Sequence, residues 1–412
     1  MNRKYFASLC IGLVCAVAFV SVAGIGAASA APGGKPPKYA PDKLLVRFTP
    51  GLAAASRDNA HRGVGATVQK HFDKIDGLEQ VKLPPGLSVQ EAIKKYRKNP
   101  NVRYAEPDFT VRALAPVTPD DPAFTAGQLT GLNNANDADI DAPEAWGITT
   151  GNTAVVVAVL DSGVDYNHPD LFQNIYTNSA ECTPDGVDND SSGYADDCHG
   201  IDVLNNDSNP MDDGTHGTHV AGTIGAKGNN TTGVVGVNWD VTILPCKFLD
   251  ASGFGTMSGA IACIEYVATQ IDNGVNIVAV NASWGGYAFS QGLYDAINVA
   301  LRSRGVLFIT AAGDNSANND TSEFYPADYY LPNVISVAAT TSTDALWSFS
   351  NYGRRTVHVG APGENILSTV PCATTPLDCA ANAYGTRSGT SMSTAFVSGV
   401  AALLNAQAGA PD

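Results

Sequence analysis

Ala154-Val155-Val156-Val157-Ala158-Val159-Leu160-Asp161-Ser162-Gly163 is an unbroken small and β-branched run that ends on a carboxylate. Apolar residues without alternation predict a strand buried on both faces, as in a parallel sheet. Similar runs lie at 241–244, 275–280, 306–310 and 334–338, with helical patterns between them at 257–271 and 293–303. The fold class read from this is α/β, a three-layer parallel sheet with helices on both faces. Sites in such sheets lie beyond the carboxyl ends of the strands, where Asp161 falls. A turn aspartate is the ordinary alternative.

Working outward, Asn2-Arg3-Lys4, an apolar stretch and Ala28-Ser29-Ala30 predict a secretory signal peptide over 1–30, cut after Ala30. An uncleaved membrane anchor is the competing reading of so long an apolar run. Residues 31–115 read as a Pro/Gly/Lys linker and a small α+β module. It has strands at 43–48 and 77–83, a capping box Ser88-Val89-Gln90-Glu91 opening a helix over 92–98, and an extended stretch at 102–108. It holds no catalytic cluster, and His61 and His71 read as surface histidines. Residues 116–412 form the main domain.

Net charge is −16, unevenly spread. Residues 31–115 carry 15 Lys/Arg against 8 Asp/Glu, and residues 116–412 carry 7 against 32. An acidic main body argues against nucleic-acid binding. The asymmetry fits two parts of one precursor that attract each other.

Further constellations follow the strand–helix pattern. Asp213-Gly214-Thr215-His216-Gly217-Thr218-His219 opens a small-residue helix. His216 and His219 raise a metal site, but H-E-x-x-H is absent. Asn281-Ala282-Ser283-Trp284-Gly285-Gly286 and Ser252-Gly253-Phe254-Gly255 are glycine-bearing edges able to pair with an extended peptide. Phe254 and Trp284 hint at apolar contacts there. Gly389-Thr390-Ser391-Met392 precedes a buried helical run. A hydroxyl there is either a helix cap or a nucleophile needing a base and an oxyanion site.

Asp161, His216 and Ser391 in that order, with Ser-Trp-Gly-Gly, Ala311-Ala312-Gly313 and Tyr325-Pro326, resemble the secreted subtilisin-like serine proteases. Residues 41–112 resemble the family's inhibitor-type propeptide. The resemblance implies Ser391 as nucleophile, His216 as base and Asp161 as its orienting carboxylate. It implies substrate contacts at Gly253, Phe254, Gly255, Ser283, Trp284 and Gly285, with Ala311, Ala312 and Gly313 walling the first pocket. It also implies a cis peptide before Pro326, as in relatives. The sequence departs from the pattern in two places. Asp314 stands where the family's oxyanion-donating asparagine is expected, followed by Asn315, and Ala395-Phe396 stands for Pro-His. An ionised carboxylate cannot donate. Either Asp314 is held protonated, or Asn315 takes its place, or activity is low, so an acid-shifted or weak profile is expected. The family usually continues beyond the serine's helix, so a chain ending at Asp412 is either a fragment or lacks part of that covering layer.

Asp185, Asp188, Asp190 and Asp196 lie in a glycine-turned acidic loop whose hard, closely spaced carboxylates suit Ca²⁺. Similar loops bind calcium in the relatives, and a solvated loop is the alternative. Six cysteines follow the signal: Cys182, Cys198, Cys246, Cys263, Cys372 and Cys379. Sequence-local pairs (182 with 198, 246 with 263, 372 with 379) are expected in an exported chain. The whole reads as a secreted, monomeric serine endopeptidase precursor. It cleaves polypeptides through an acyl-enzyme. Its own propeptide inhibits it until self-cleavage near 112–119, and no membrane attachment persists after signal removal. A non-catalytic binding protein and an esterase are the rivals; G-x-S-x-G is absent around Ser391.

Overall fold

The structure is a computed structural model that describes residues 38–111, 115–372 and 383–408. The expected signal peptide lies outside the described residues. The chain divides into two compact units, Met1–Ala113 and Leu114–Asp412.

The first unit runs β1 (Tyr39–Phe48), α1 (Ala54–Val64), β2 (Thr67–His71), β3 (Leu78–Lys82), α2 (Val89–Tyr96) and β4 (Val102–Phe109). Its four strands form a sheet in the order β2-β3-β1-β4, with every pairing antiparallel. Alternation decides which face of β1 is covered: Leu44, Val46 and Phe48 are fully buried, in one core with Val64, Ile93 and Tyr96 of the helices. Ser88 and Glu91 close the capping box that starts α2, each side chain accepting from the other's backbone N–H. α1 and β2 escape the sequence pattern because α1 buries only Ala60, His61 and Val64. His61, expected on the surface, is 3% exposed. Its Nε2 lies 2.6 Å from the buried Glu79 carboxylate and its Nδ1 2.8 Å from the Tyr96 hydroxyl. Both partners are distant in sequence, so burial there needed the folded sheet to be seen.

The second unit opens with two short helices, α3 (Pro122–Thr125) and α4 (Ala142–Trp146). It continues β5 (Gly151–Asp161), β6 (Ile201–Asp202), α5 (His216–Gly225), β7 (Asp240–Lys247), α6 (Met257–Asp272), β8 (Ile277–Ala282) and α7 (Gln291–Asp295). It ends β9 (Leu307–Ala311), β10 (Val334–Thr340), β11 (Val359–Pro362), a hairpin of β12 (Ile366–Thr369) and β13 (Tyr384–Arg387), and α8 (Thr390–Ala408). The helical pattern over 293–303 predicts one helix. The segment is helical throughout, but α7 passes into a π stretch at Ala296–Leu301 and a tight turn at Arg302–Arg304.

Seven strands form one parallel sheet in the order β11-β10-β9-β8-β5-β7-β6. Successive side chains of a strand point to opposite faces. Val155, Val157 and Val159 therefore join the core with Val220 and Ile224 of α5 and Met392, Ala395 and Phe396 of α8. Val156, Ala158 and Leu160 join the opposite core with Ile264 and Val267 of α6. Phe396, one of the two departures near the serine, is 3% exposed. A Cβ on Gly131 would sit 2.5 Å from its ring, so the larger side chain is matched by a glycine. The Tyr325–Pro326 peptide is cis.

Candidate active site

β5 delivers Asp161 to the carboxyl edge of the sheet where the strand order reverses, with β7 and β6 on one side and β8 to β11 on the other. Open α/β sheets leave a crevice at that point. Asp161 is fully buried. Its Oδ1 accepts from the Ser162 N–H and from His216 Nδ1, each at 2.7 Å, while its Oδ2 has no hydrogen-bond partner. With the proton on Nδ1, Nε2 of His216 is left bare as an acceptor. Burial pulls the His216 pKa down, but the charge and hydrogen bond of Asp161 outweigh it, and the net shift is upward. Arg387 opposes that rise.

His216 starts α5, and Asp212 sets where the helix begins. Asp212 Oδ1 accepts the Gly214 and Thr215 N–H groups at 2.8 and 2.9 Å, and its Oδ2 accepts the Thr218 N–H at 2.9 Å. An anion at a helix N-terminus is favourable. Sequence reading missed Asp212; the carboxylate just ahead of a Gly-Thr turn was the available signal. His219 faces elsewhere. It is fully buried, and its Nε2 donates to the Ile366 and Gly385 carbonyls at 3.0 and 3.1 Å. Burial pushes its pKa down to about 4. His219 thus ties α5 to the β12–β13 hairpin as a neutral ring, and the two histidines do not share a ligand.

Ser391 lies in the first turn of α8. Its Oγ donates to the Ser283 carbonyl at 3.0 Å, and Ser283 Oγ donates to the Ser391 carbonyl at 2.8 Å. Among the described residues, its hydroxyl makes no hydrogen bond to His216. Asp314 Oδ1 accepts the Thr390 N–H at 2.9 Å, at the mouth of the same helix. A Cβ placed on Gly389 would lie 3.0 Å from Asp314 Oδ2 and 3.8 Å from the Ser391 nitrogen, so both atoms border one small space. Asn315 does not enter it, since its Oδ1 accepts from the Tyr287 hydroxyl at 2.9 Å.

The two glycine-bearing edges differ in character. Gly253–Gly255 is an exposed turn closed by Asp250, whose Oδ1 accepts the Ser252 and Phe254 N–H groups at 2.9 and 3.0 Å; Phe254 is 74% exposed. Ser283–Gly285 extends β8. The Trp284 indole, expected as an apolar contact at that edge, turns into the sheet instead. Its Nε1–H donates to the Leu160 carbonyl at 2.9 Å and its ring packs edge-on against Phe248 and Phe308. Gly285 is held close by packing, since a Cβ there would meet Phe324 at 2.3 Å. Ala311 ends β9 and Ala312 follows it, both buried, and Gly313 has φ 107° with its N–H donating to Thr390 Oγ1 at 3.1 Å.

In the acidic loop, Glu181, Asp188 and Asp190 offer oxygens within 4.8 Å of one another. Glu181 was not foreseen. Asp196 and Asp185 fall outside this group; the Asp196 carboxylate accepts the Asp185 and Gly186 N–H groups. A second acidic pair, also unforeseen, is Asp121 and Asp170, both fully buried and with no ion pair among the described residues. Asp121 Oδ1 has no hydrogen-bond partner. Asn230 Nδ2 and the Val234 N–H donate to Asp170 at 2.8 and 2.9 Å, and burial pushes Asp170 up to about 6. Cys182–Cys198 and Cys246–Cys263 are disulfides with Cα separations of 4.5 and 5.8 Å. Cys372 is disulfide-bonded too, while Cys379 lies outside the described residues.

A parallel sheet whose buried polar groups gather at its carboxyl edge is the frame of an α/β enzyme. The model of the subtilase family matches residues 152–410, and that of the fervidolysin N-terminal prodomain matches residues 26–108. The thermophilic serine proteinase of Bacillus sp. (strain AK1) is 35% identical over 369 residues, 90% of this chain and 79% of that protein. Thermitase of Thermoactinomyces vulgaris is 37% identical over 290 residues, 70% of this chain and 86% of that protein. The crystal structure of a cold adapted subtilisin-like serine proteinase is 32% identical, with a TM-score of 0.51 over 67% of this chain and 84% of that chain. The chain belongs to the subtilase family. It is a serine endopeptidase with an N-terminal prodomain, acting on peptide substrates.

Proposed function

We propose that Asp161, His216 and Ser391 carry the reaction. The observation that supports this best is the 2.7 Å hydrogen bond from His216 Nδ1 to the buried Asp161, which leaves Nε2 free as a base. Ser391 Oγ leaves the Ser283 carbonyl and attacks the substrate carbonyl carbon, its proton passing to Nε2. The tetrahedral oxyanion lies beside the first turn of α8, at the Ser391 N–H. His216 then gives its proton to the leaving amine, and the acyl-enzyme remains. Water attacks the ester with His216 again as base, restoring Ser391. The Gly253–Gly255 and Ser283–Gly285 edges bind the extended substrate backbone, and Ala311–Gly313 wall the pocket before the scissile bond.

We further read the chain as a secreted, monomeric precursor, cut after Ala30 and again near 112–119 by its own active site, with 31–115 as folding aid and inhibitor. The basic–acidic asymmetry supports attraction between the two parts. No helix among the described residues is long and apolar enough to cross a membrane. Calcium suits this chain. Asp121, Asp170 and Asn230 would hold one ion, Asp121 Oδ1 being buried without a partner. Glu181, Asp188 and Asp190 would hold another. Bound Ca²⁺ supplies positive charge to carboxylates that lack a cation.

A fluorophosphonate probe followed by peptide mass mapping tests the site. The expected label is on Ser391, with loss of casein hydrolysis in step with labelling. Casein hydrolysis that survives complete labelling, or a label on another residue, refutes the assignment.

A further inference from the structure

We infer that Arg387 selects an acidic residue on the leaving-amine side of the scissile bond. The inference deepens the active-site reading and rests on it. Residues 116–412 hold only seven basic side chains among 32 acidic ones. Lys227, Lys247 and Arg304 are paired with Asp240, Asp213 and Asp272. Arg387 is not paired with a carboxylate among the described residues. Its guanidinium donates to the Thr215 hydroxyl. That anchors a half-buried positive charge next to His216, and the charge is felt at the imidazole as a pull against protonation.

Chemistry fixes which side of the substrate this charge faces. The leaving amine takes its proton from His216, so the chain after the scissile bond departs along the His216 side of Ser391. Arg387 ends β13, four residues before Ser391, and its side chain reaches back to the residue before His216. The Gly253–Gly255 and Ser283–Gly285 edges, which we assign to the acyl portion, carry no basic residue. The carboxylates close to His216 are already engaged: Asp161 by His216, Asp212 by the start of α5, and Asp213 by Lys247. A guanidinium left without an anion matches a carboxylate supplied by the substrate, an Asp or Glu side chain directly after the cleaved bond.

The test uses the mature enzyme and three internally quenched peptides that differ only in the first residue after the scissile bond: Asp, Ala or Lys. The expected kcat/KM ratio of Asp to Lys is about tenfold, the sum of a partly exposed attraction and the matching repulsion. Arg387→Gln brings the ratio to about one, Arg387→Glu inverts it, and Arg387→Lys keeps its direction. High salt narrows the ratio in the wild type only where Arg387 is the cause. The same ratio in all four proteins overturns the inference. Wild-type enzyme that cleaves all three peptides without preference overturns it too, leaving the assignment of Ser391 and His216 intact. Failure to cleave any peptide, with no fluorophosphonate label on Ser391, removes both.

Discussion

Asp314→Asn should make this a faster protease. The Asp314 carboxylate borders the same small space as the Ser391 nitrogen, with a Gly389 Cβ position only 3.0 Å from Oδ2. Its Oδ1 accepts the Thr390 N–H at 2.9 Å. An ionised Asp314 offers no proton to an oxyanion and repels it. Asparagine keeps the Oδ1 acceptor for Thr390 and puts an N–H donor where Oδ2 now lies. One such donor is worth about 10²–10³ in kcat, or about 2.7–4 kcal/mol. The acid-shifted route is opposed by His216, which must be neutral to act and whose pKa is raised. Low activity is therefore the expected consequence of Asp314. The assay is kcat and KM on a peptide nitroanilide, from neutral to alkaline pH, for wild type, Asp314→Asn and Asp314→Ala. The gain should appear in kcat, with KM little changed, and Ala should gain less than Asn. Full alkaline activity in the wild type, unchanged by either substitution, refutes the reasoning.

Other outcomes follow from the same structure. Ser391→Ala should accumulate as an unprocessed precursor in a host without other proteases, seen as an intact mass; normal processing there would contradict self-cleavage. Activity should fall as pH drops through a value above the 6.5 of an ordinary imidazole, because protonating His216 removes the base. In Asp161→Asn burial acts without the opposing charge, so that limb should move down while kcat falls about 10⁴-fold. A limb unmoved in the variant would show that another group controls it. Chelation should lower Tm. Asp121→Ala should remove most of that chelator shift, whereas calorimetry with no Ca²⁺ uptake and no shift in Tm would end the calcium proposal.

Much of the frame was legible because a parallel strand buried on both faces has a plain signature. The run 154–160 needs no partner to be read, since neither of its faces can carry a polar residue. The strands at 241–244 and 334–338 read the same way, although each carries one hydroxyl, Thr242 and Ser336. The capping box at Ser88 and Glu91 is equally local. α1 and β2 were not legible, because each is short and mostly polar and gains its burial from β3 and α2. His61 shows the limit: only the fold brings it against Glu79 and Tyr96.

For the site, sequence order and residue type selected Asp161, His216 and Ser391, because each falls at the end of a strand or the start of a helix. What tertiary structure decided is which polar atoms face one another. It bonded Asp161 to His216, sent His219 to the β12–β13 hairpin, drew Asn315 to Tyr287 and turned Trp284 into the sheet. It replaced Asp185 and Asp196 by Glu181 in the acidic cluster. It also brought Arg387 to Thr215 across 172 positions. Apolar periodicity is a property of neighbouring residues and survives in one dimension. A hydrogen bond or an unpaired charge depends on distances between segments far apart in the chain, and those exist only once it has folded.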